Sequence, residues 1–241
     1  MDMTPEIKKI DDKTWALDEG GVRFFLLAGD ERSLMIDSGM QTEDARGMAE
    51  EILKAAGAPC GDKLELLNTH ADPDHIACNA RFPWFYMHPA EATNFYNSRR
   101  AAGQMKAIWD GDEIDLGGRT IRVIEIPGHT PGSVALLDVE RRRLFSGDSV
   151  QDGHIFMFGV QREMHAYRAS MQKLMGMTDR FDVVYPSHGT LEVSPDLIGQ
   201  LYEASGKVLE GQIEGRAGEV FGNPLTIYNC GVATFLCEPV K

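Results

Sequence analysis

The sequence predicts a mixed α/β fold, with two mixed β-sheets packed face to face and helices outside, in a single domain over residues 1–241. Three observations carry this reading. Short apolar runs separated by glycine turns come in groups, as strands do. Two apolar stripes of helical period interrupt those groups, one in each half. No long linker, low-complexity stretch or helical repeat divides the chain, and 241 residues can bury most of their apolar surface without a disulfide or metal.

The elements follow in order. Thr14–Leu17, Val22–Leu27 and Leu34–Ile36 are β-type runs with Gly20-Gly21 and Gly29-Asp30 as turns, an antiparallel meander. Within Thr42–Ala56, Ala45, Met48, Ala49, Ile52, Leu53 and Ala56 form one helical stripe, stopped by Gly57. Leu64–Leu67 reads as a buried strand running into Asn68-Thr69-His70, Trp84–Met87 as another strand, and Pro89–Tyr96 as helix. Ile121–Ile126 is a strand ending at Pro127-Gly128, and Val134–Leu137 and Leu144–Phe145 flank a charged hairpin, Asp138–Arg143. Met164, Tyr167, Met171, Leu174 and Met175 make the second helical stripe, and Phe181–Tyr185 a further strand. Ser194-Pro195 is an N-cap and N1 pair opening a helix toward Leu209. Thr226–Tyr228 and Val232–Leu236 read as a closing hairpin.

Twenty-four Lys+Arg against 37 Asp+Glu give a formal net charge of −13, which repels phosphate backbones and anionic lipid heads. The longest basic run, Arg141-Arg142-Arg143, is only three residues. The expected partner is therefore a small-molecule substrate, with neither nucleic acid nor membrane; the oligomeric state is not readable. No stretch approaches the roughly 18 apolar residues of a membrane span, and the N-terminus has no apolar signal region. Cys60, Cys78, Cys230 and Cys237 form no C-x-x-C pair and read as reduced thiols of a cytoplasmic protein. Cys78 reads as a small buried hydrophobe.

Chemistry concentrates in four places. His70 and His75 bracket two carboxylates in Thr69-His70-Ala71-Asp72-Pro73-Asp74-His75; His129 follows Pro127-Gly128, Asp148 follows Ser146-Gly147, and His188 follows Pro186-Ser187. Each stands on a loop at the C-terminal end of an apolar strand, where rigid scaffolds mount functional groups. A lone histidine before a Pro-Gly turn is ordinarily a turn residue, and paired aspartates are ordinarily turn formers. Two histidines and two aspartates within six residues are costly unless their charge is compensated, and a single ligand-type residue stands at each of three further strand ends. Four imidazoles and three carboxylates without a thiolate suit zinc, iron or manganese. Among the other histidines, His154 is a candidate pocket residue, whereas His88 and His165 read as ordinary turn and helix residues; Met157 and Phe158 read as core.

This series resembles the metallo-β-lactamase superfamily, whose T-H-x-H-x-D-H motif precedes later His, Asp and His ligands. Pro127-Gly-His-Thr-Pro-Gly-Ser133, Phe145-Ser-Gly-Asp-Ser149 and Leu34-Met-Ile-Asp37-Ser-Gly39 match the family's contexts, over about residues 13–190. The resemblance implies an αββα sandwich and two divalent metal ions, zinc first. It implies one metal site from His70, Asp72 and His129, and a second from Asp74, His75 and His188, with Asp148 bridging. It also implies a metal-bridging hydroxide as nucleophile. Asp74 and Asp37 are the candidate catalytic residues, the first orienting the nucleophile and carrying its proton, the second holding a ligand imidazole from behind. One position departs from the motif: Asp72 stands where the family has its second histidine. The added negative charge makes the ligation harder and favours iron or manganese.

The implied activity is binuclear metal-dependent hydrolysis of an ester, thioester, lactone or phosphodiester small molecule. Lack of an export signal disfavours an antibiotic-degrading member, and the acidic balance disfavours the RNA-processing branches. The segment after His188 does not resemble the glutathione-thioester domain and is short for the flavodoxin of the flavodiiron branch. The competing expectation, motivated by Asp72, is a non-haem di-iron oxidoreductase related to the flavodiiron or dioxygenase branches; a third is a metal-binding protein with little turnover.

Overall fold

A computed structural model describes residues 4–159 and 161–239. The chain divides into two compact units, one running through Ile124 with Leu136–Glu140 added, the other comprising Glu125–Ala135 and the chain from Arg141 onward.

In the first unit, β1 (Glu6–Asp11), β2 (Thr14–Asp18), β3 (Arg23–Ala28), β4 (Ser33–Ile36), β5 (Leu64–Leu67), β6 (Trp84–Met87) and β7 (Gln104–Ala107) form a seven-stranded sheet in sequence order. β1 to β4 are an antiparallel meander, and β4 to β7 pair in parallel. The sheet is therefore mixed, as the glycine turns and the intervening helix predict. The crossover from β4 to β5 carries helix α1 (Ala45–Ala55), and that from β6 to β7 carries the short α2 (Ala92–Asn97). α1 starts at Ala45, three residues into the predicted Thr42–Ala56 window and at the head of its apolar stripe, because Asp44 caps it, accepting from the Gly47 N–H, and it stops before Gly57, whose φ is +67°. Its buried face is Ala45, Ala49 and Leu53, small enough to lie close over Trp15, Phe24, Leu26, Met35 and Leu66 of the sheet. Pro89–Tyr96 divides into a 3-10 turn, Pro89–Glu91, and α2. A further antiparallel pair, β8 (Glu113–Asp115) and β9 (Thr120–Glu125), belongs to this unit as far as Ile124.

Arg119, 1% exposed, is the largest fully buried side chain among this unit's described residues. It donates to Asp138 twice, to the Lys13 and Ala28 carbonyls and to the Thr14 hydroxyl. Hydrogen bonding on this scale is what lets a guanidinium remain charged in a core.

β10 (Val134–Asp138) contributes to both units. The second unit contains β11 (Arg143–Gly147) and β13 (Val183–Pro186), which pair in parallel, and helices α3 (Met164–Met175) and α4 (Asp196–Leu209). A four-stranded mixed sheet in the order β12 (His154–Met157), β16 (Thr234–Cys237), β15 (Asn223–Asn229), β14 (Arg216–Val220) completes it, β12 and β16 being parallel and the rest antiparallel. The predicted closing hairpin is β15–β16. Ser194 caps from one position further out than expected: its hydroxyl accepts from the Asp196 N–H at 3.2 Å, and the helix proper begins at Asp196. No helix among the described residues is long and apolar enough to cross a membrane.

Candidate metal centre

Each unit carries a share of the candidate ligands. In the first, β4 and β5 are parallel neighbours, so the residues that follow them, Asp37 and Asn68-Thr69-His70, emerge side by side. The Asp37 N–H donates to the Leu67 carbonyl at 2.9 Å, and Asp37 itself has a left-handed φ of 62°. That conformation is uncommon outside glycine, Asn and Asp. It aims a carboxylate, 1% exposed, under the next loop. Asp37 Oδ1 accepts the Thr69 N–H at 2.7 Å, and Oδ2 accepts the Thr69 hydroxyl and His75 Nδ1, each at 2.8 Å. Asn68 Nδ2 then holds the His75 carbonyl at 2.8 Å, and the His75 N–H closes a turn on the Asp72 carbonyl at 3.0 Å. His70 and His75 are buried with ring centroids 4.0 Å apart. Asp72 and Asp74 are partly exposed at the loop's outer side.

In the second unit, helix α3 organises the loops. A Cβ at position 128, where φ is +138°, would lie 2.3 Å from the Tyr167 backbone, so only glycine fits before His129. The Glu163 N–H donates to the Gly128 carbonyl, Ser170 Oγ to the Pro127 carbonyl and the Tyr167 hydroxyl to the Ser149 carbonyl beside Asp148. Because β11 and β13 are parallel, Asp148 and His188 leave the same end of the pair, and the Ser187 N–H donates to the Gly147 carbonyl at 3.0 Å. Gly189 is left-handed at φ +68°, and Asp152 accepts the Thr190 N–H at 2.9 Å, tying the His188 loop to the Asp148 loop.

The donor set has the form a divalent ion takes. His75 Nδ1 faces a carboxylate, so it carries a proton, whereas His129 Nδ1 faces both the Phe156 carbonyl at 2.9 Å and the Arg162 guanidinium at 3.0 Å. The Thr69 hydroxyl donates to Asp37, so it accepts from His70 Nδ1, 3.0 Å away. A neutral ring that carries its proton on Nδ1 presents its lone pair on Nε2. Each Nε2 stands beside a carboxylate oxygen: His70 to Asp72 at 3.6 Å, His75 to Asp74 at 3.7 Å and His129 to Asp148 at 3.5 Å. His188 Nε2 lies 3.2 Å from Asp148 Oδ1. Two ligands about 2.0–2.2 Å from one ion at a tetrahedral angle stand about 3.3–3.6 Å apart. A deprotonated nitrogen and a carboxylate repel at that spacing, so the arrangement fits a cation that both can bind.

Several supporting residues carry no sequence signal. Glu91, fully buried, accepts the Ala71 N–H at 2.9 Å beneath the first loop. Glu19, 3% exposed, accepts the N–H groups of Met40, Gln41 and Thr42, fixing the chain just after Asp37. Arg162 Nη1 lies 3.0 and 3.2 Å from the two ring nitrogens of His129. The acid of a Glu in an ordinary helical or turn context looks like surface text, and only a buried backbone N–H opposite it reveals otherwise. His88 caps the Pro89–Glu91 turn, while His154 and His165 are exposed at the start of β12 and on α3.

A model of the metallo-beta-lactamase superfamily matches residues 17–188, from β2 to the last candidate ligand. The chain belongs to that superfamily. It is 30% identical over 200 residues to the acyl-coenzyme A thioesterase MBLAC2 of Gallus gallus, covering 68% of this chain and 71% of the relative. It is 32% identical over 111 residues to a hydroxyacylglutathione hydrolase of a Synechococcus strain, covering 44% of this chain and 43% of that protein. The solved metallo-beta-lactamase from Pontibacter korlensis superposes with a TM-score of 0.69 at 18% identity, over 84% of this chain and 99% of that one. The superfamily member is thus a hydrolase of the metallo-β-lactamase fold, and its family implies divalent metal.

Proposed function

We propose that this superfamily member is a binuclear metallohydrolase whose substrate is a small-molecule thioester. The observation that carries the metal reading is the set of four imidazole–carboxylate couples at 3.2–3.7 Å. The thioester class is supported by the two named relatives, a thioesterase and a hydroxyacylglutathione hydrolase. His70, Asp72 and His129 would hold one ion, Asp74, His75 and His188 the other, and Asp148 both, within the single domain read over residues 1–241. Bound divalent ions supply Lewis acidity and an acidified water.

The chain's own groups do the rest. Asp37 keeps the His75 proton on Nδ1, so that ring stays in the ligating tautomer, and the Phe156 carbonyl is an acceptor for the same proton of His129. Asp74 is the partly exposed carboxylate placed to take the proton of the attacking water. Water oxygen forms a bond to the thioester carbonyl carbon, the carbon–sulfur bond breaks, and the proton held by Asp74 passes to the departing thiolate. The acyl group leaves as a carboxylate, releasing one proton to solvent. Asp74→Asn should lower kcat on a thioester by at least about a hundredfold, the scale of general acid–base assistance. His129→Ala should lose bound metal. Full turnover with unchanged metal content in either variant overturns the assignment.

Asp72 favours a second reading, a non-haem iron redox protein, because a carboxylate there hardens the ligand set. Elemental analysis of protein purified without added metal separates the two. Two zinc ions with thioester turnover support hydrolysis; iron with visible absorption and no turnover supports the redox reading.

A further inference from the structure

A cleft of about 460 Å³ opens in the first unit beside Asp72, between the candidate ligand loop and the chain that follows α2. Asn94 and Asn97, three apart on one face of α2, line it with Ser98, Arg99 and Arg100. Phe95, fully buried, anchors that helix to the core and leaves the asparagines outward. Arg100 Nη1 donates to the carbonyls of Met40 and Pro73, at 2.6 and 3.0 Å, which fastens this wall to the ligand loop. Neither Arg99 nor Arg100 is ion-paired with a carboxylate among the described residues. Two guanidiniums thus stand against one carboxylate in a chain of formal charge −13, a local reversal of sign next to the reacting region. The volume falls in the range of small-molecule sites.

We propose that this cleft is a subsite for the anionic end of the thiol carrier, a phosphate- or carboxylate-bearing leaving group held by Arg99 and Arg100 with amide and hydroxyl donors from Asn94, Asn97 and Ser98. The inference rests on the thioester reading above. Arginine suits it because its planar donors match phosphate and carboxylate oxygens in pairs. The acidic surface elsewhere would repel such a carrier, so the two arginines also set where it docks.

Calorimetric titration of the metal-loaded protein with coenzyme A, glutathione and uncharged pantetheine tests the subsite without turnover. Coenzyme A and pantetheine carry the same thiol, so direct metal ligation contributes equally to that pair; glutathione carries a cysteinyl thiol, and its carboxylates are judged by the response to Arg99→Glu. At least one anionic thiol should bind tenfold or more tightly than pantetheine; which one does so tells a phosphate-bearing carrier from a carboxylate-bearing one. Arg99→Glu should abolish that advantage, and Arg99→Lys should restore part of it. Equal binding of all three thiols, or an advantage that survives Arg99→Glu, overturns the subsite. Hydrolysis of matched acyl thioesters of coenzyme A, glutathione and N-acetylcysteamine is the second arm. The kcat/KM ratio of the preferred anionic ester to the neutral one should fall at least tenfold in Arg99→Glu, whereas a merely structural effect leaves the ratio unchanged. Absence of hydrolysis of every thioester by the wild type refutes the thioester reading, and the titrations still decide the subsite.

Discussion

Asp37 accepts two protein donors besides the ring of His75, in a backbone conformation that asparagine tolerates nearly as well as aspartate. Asp37→Asn therefore keeps the left-handed turn and removes only the charge and one acceptor oxygen. Partners of this kind typically account for about 10–100-fold in metal affinity. Equilibrium dialysis of the variant should show a loss on that scale at one ion of the pair, with thermal unfolding still cooperative. Undiminished affinity at both would remove Asp37 from the centre. Asp72 makes the complementary case. Asp72→His restores the imidazole of the family motif and removes one negative charge, so metal preference should move toward zinc and away from iron and manganese. Competition dialysis against equimolar zinc and iron(II), before and after the change, reads that shift directly.

At the scale of elements, α3 matters more than its exposed surface suggests. It meets the Gly128 backbone, donates from Ser170 to Pro127 and from Tyr167 to Ser149, and so braces the loops of both His129 and Asp148. Gly128→Ala would drive a methyl group into the Tyr167 backbone and should release metal while leaving most of the helix content in circular dichroism. Tyr167→Phe, which leaves one buried carbonyl without its donor, should cost about 1–3 kcal/mol in denaturant unfolding. The apolar stripe of α3 was legible in the sequence; its bracing role was not, because that depends on which backbone atoms approach Gly128. The same contrast runs through the fold. Buried strands such as β3 and β5 announce themselves as apolar runs, and Pro-Gly-His and Ser-Gly-Asp stand out as strand-end loops. β1, β7 and β14 escape notice because their text, Lys8-Lys9 or Gln104-Met105-Lys106, is half-exposed and polar; β1 and β7 are the edges of the large sheet. Charged edge strands deter unwanted pairing and so lack the signal of a core strand. In β16, burial first and then Cys230 and Glu238 push the Cys237 thiol up to about 12. A raised value keeps the thiol protonated, with a thiolate fraction of about one in ten thousand at pH 8. Alkylation of Cys237 in the folded protein at that pH should be far slower than after denaturation.

For the molecule as a whole, the excess of acids means something different once three of them are candidate ligands. Two divalent ions would raise the formal charge from −13 by four units, less any proton lost from a shared water, and most of that change would fall on the loops carrying Asp72, Asp74 and Asp148. Without cations each of those carboxylates stands 3.5–3.7 Å from a buried imidazole nitrogen, a crowding the folded state alone must bear. Metal therefore should stabilise the native chain by mass action. At a free concentration one hundred times the dissociation constant the gain is about 2.7 kcal/mol, reduced by whatever the unfolded His and Asp side chains bind. For a chain of this size each kcal/mol moves the midpoint by about 2–4 °C, so chelation should lower it by about 5–10 °C. Because candidate ligands come from both units, protection from proteolysis should weaken on chelation in the loops around His70–His75 and around His129 alike. Calorimetric scans with excess zinc and with chelator, followed by mapping of the first cleavage sites, would measure both effects. A midpoint that ignores zinc over a thousandfold range, or cleavage that opens in one unit alone, would show that the two ligand groups do not act together.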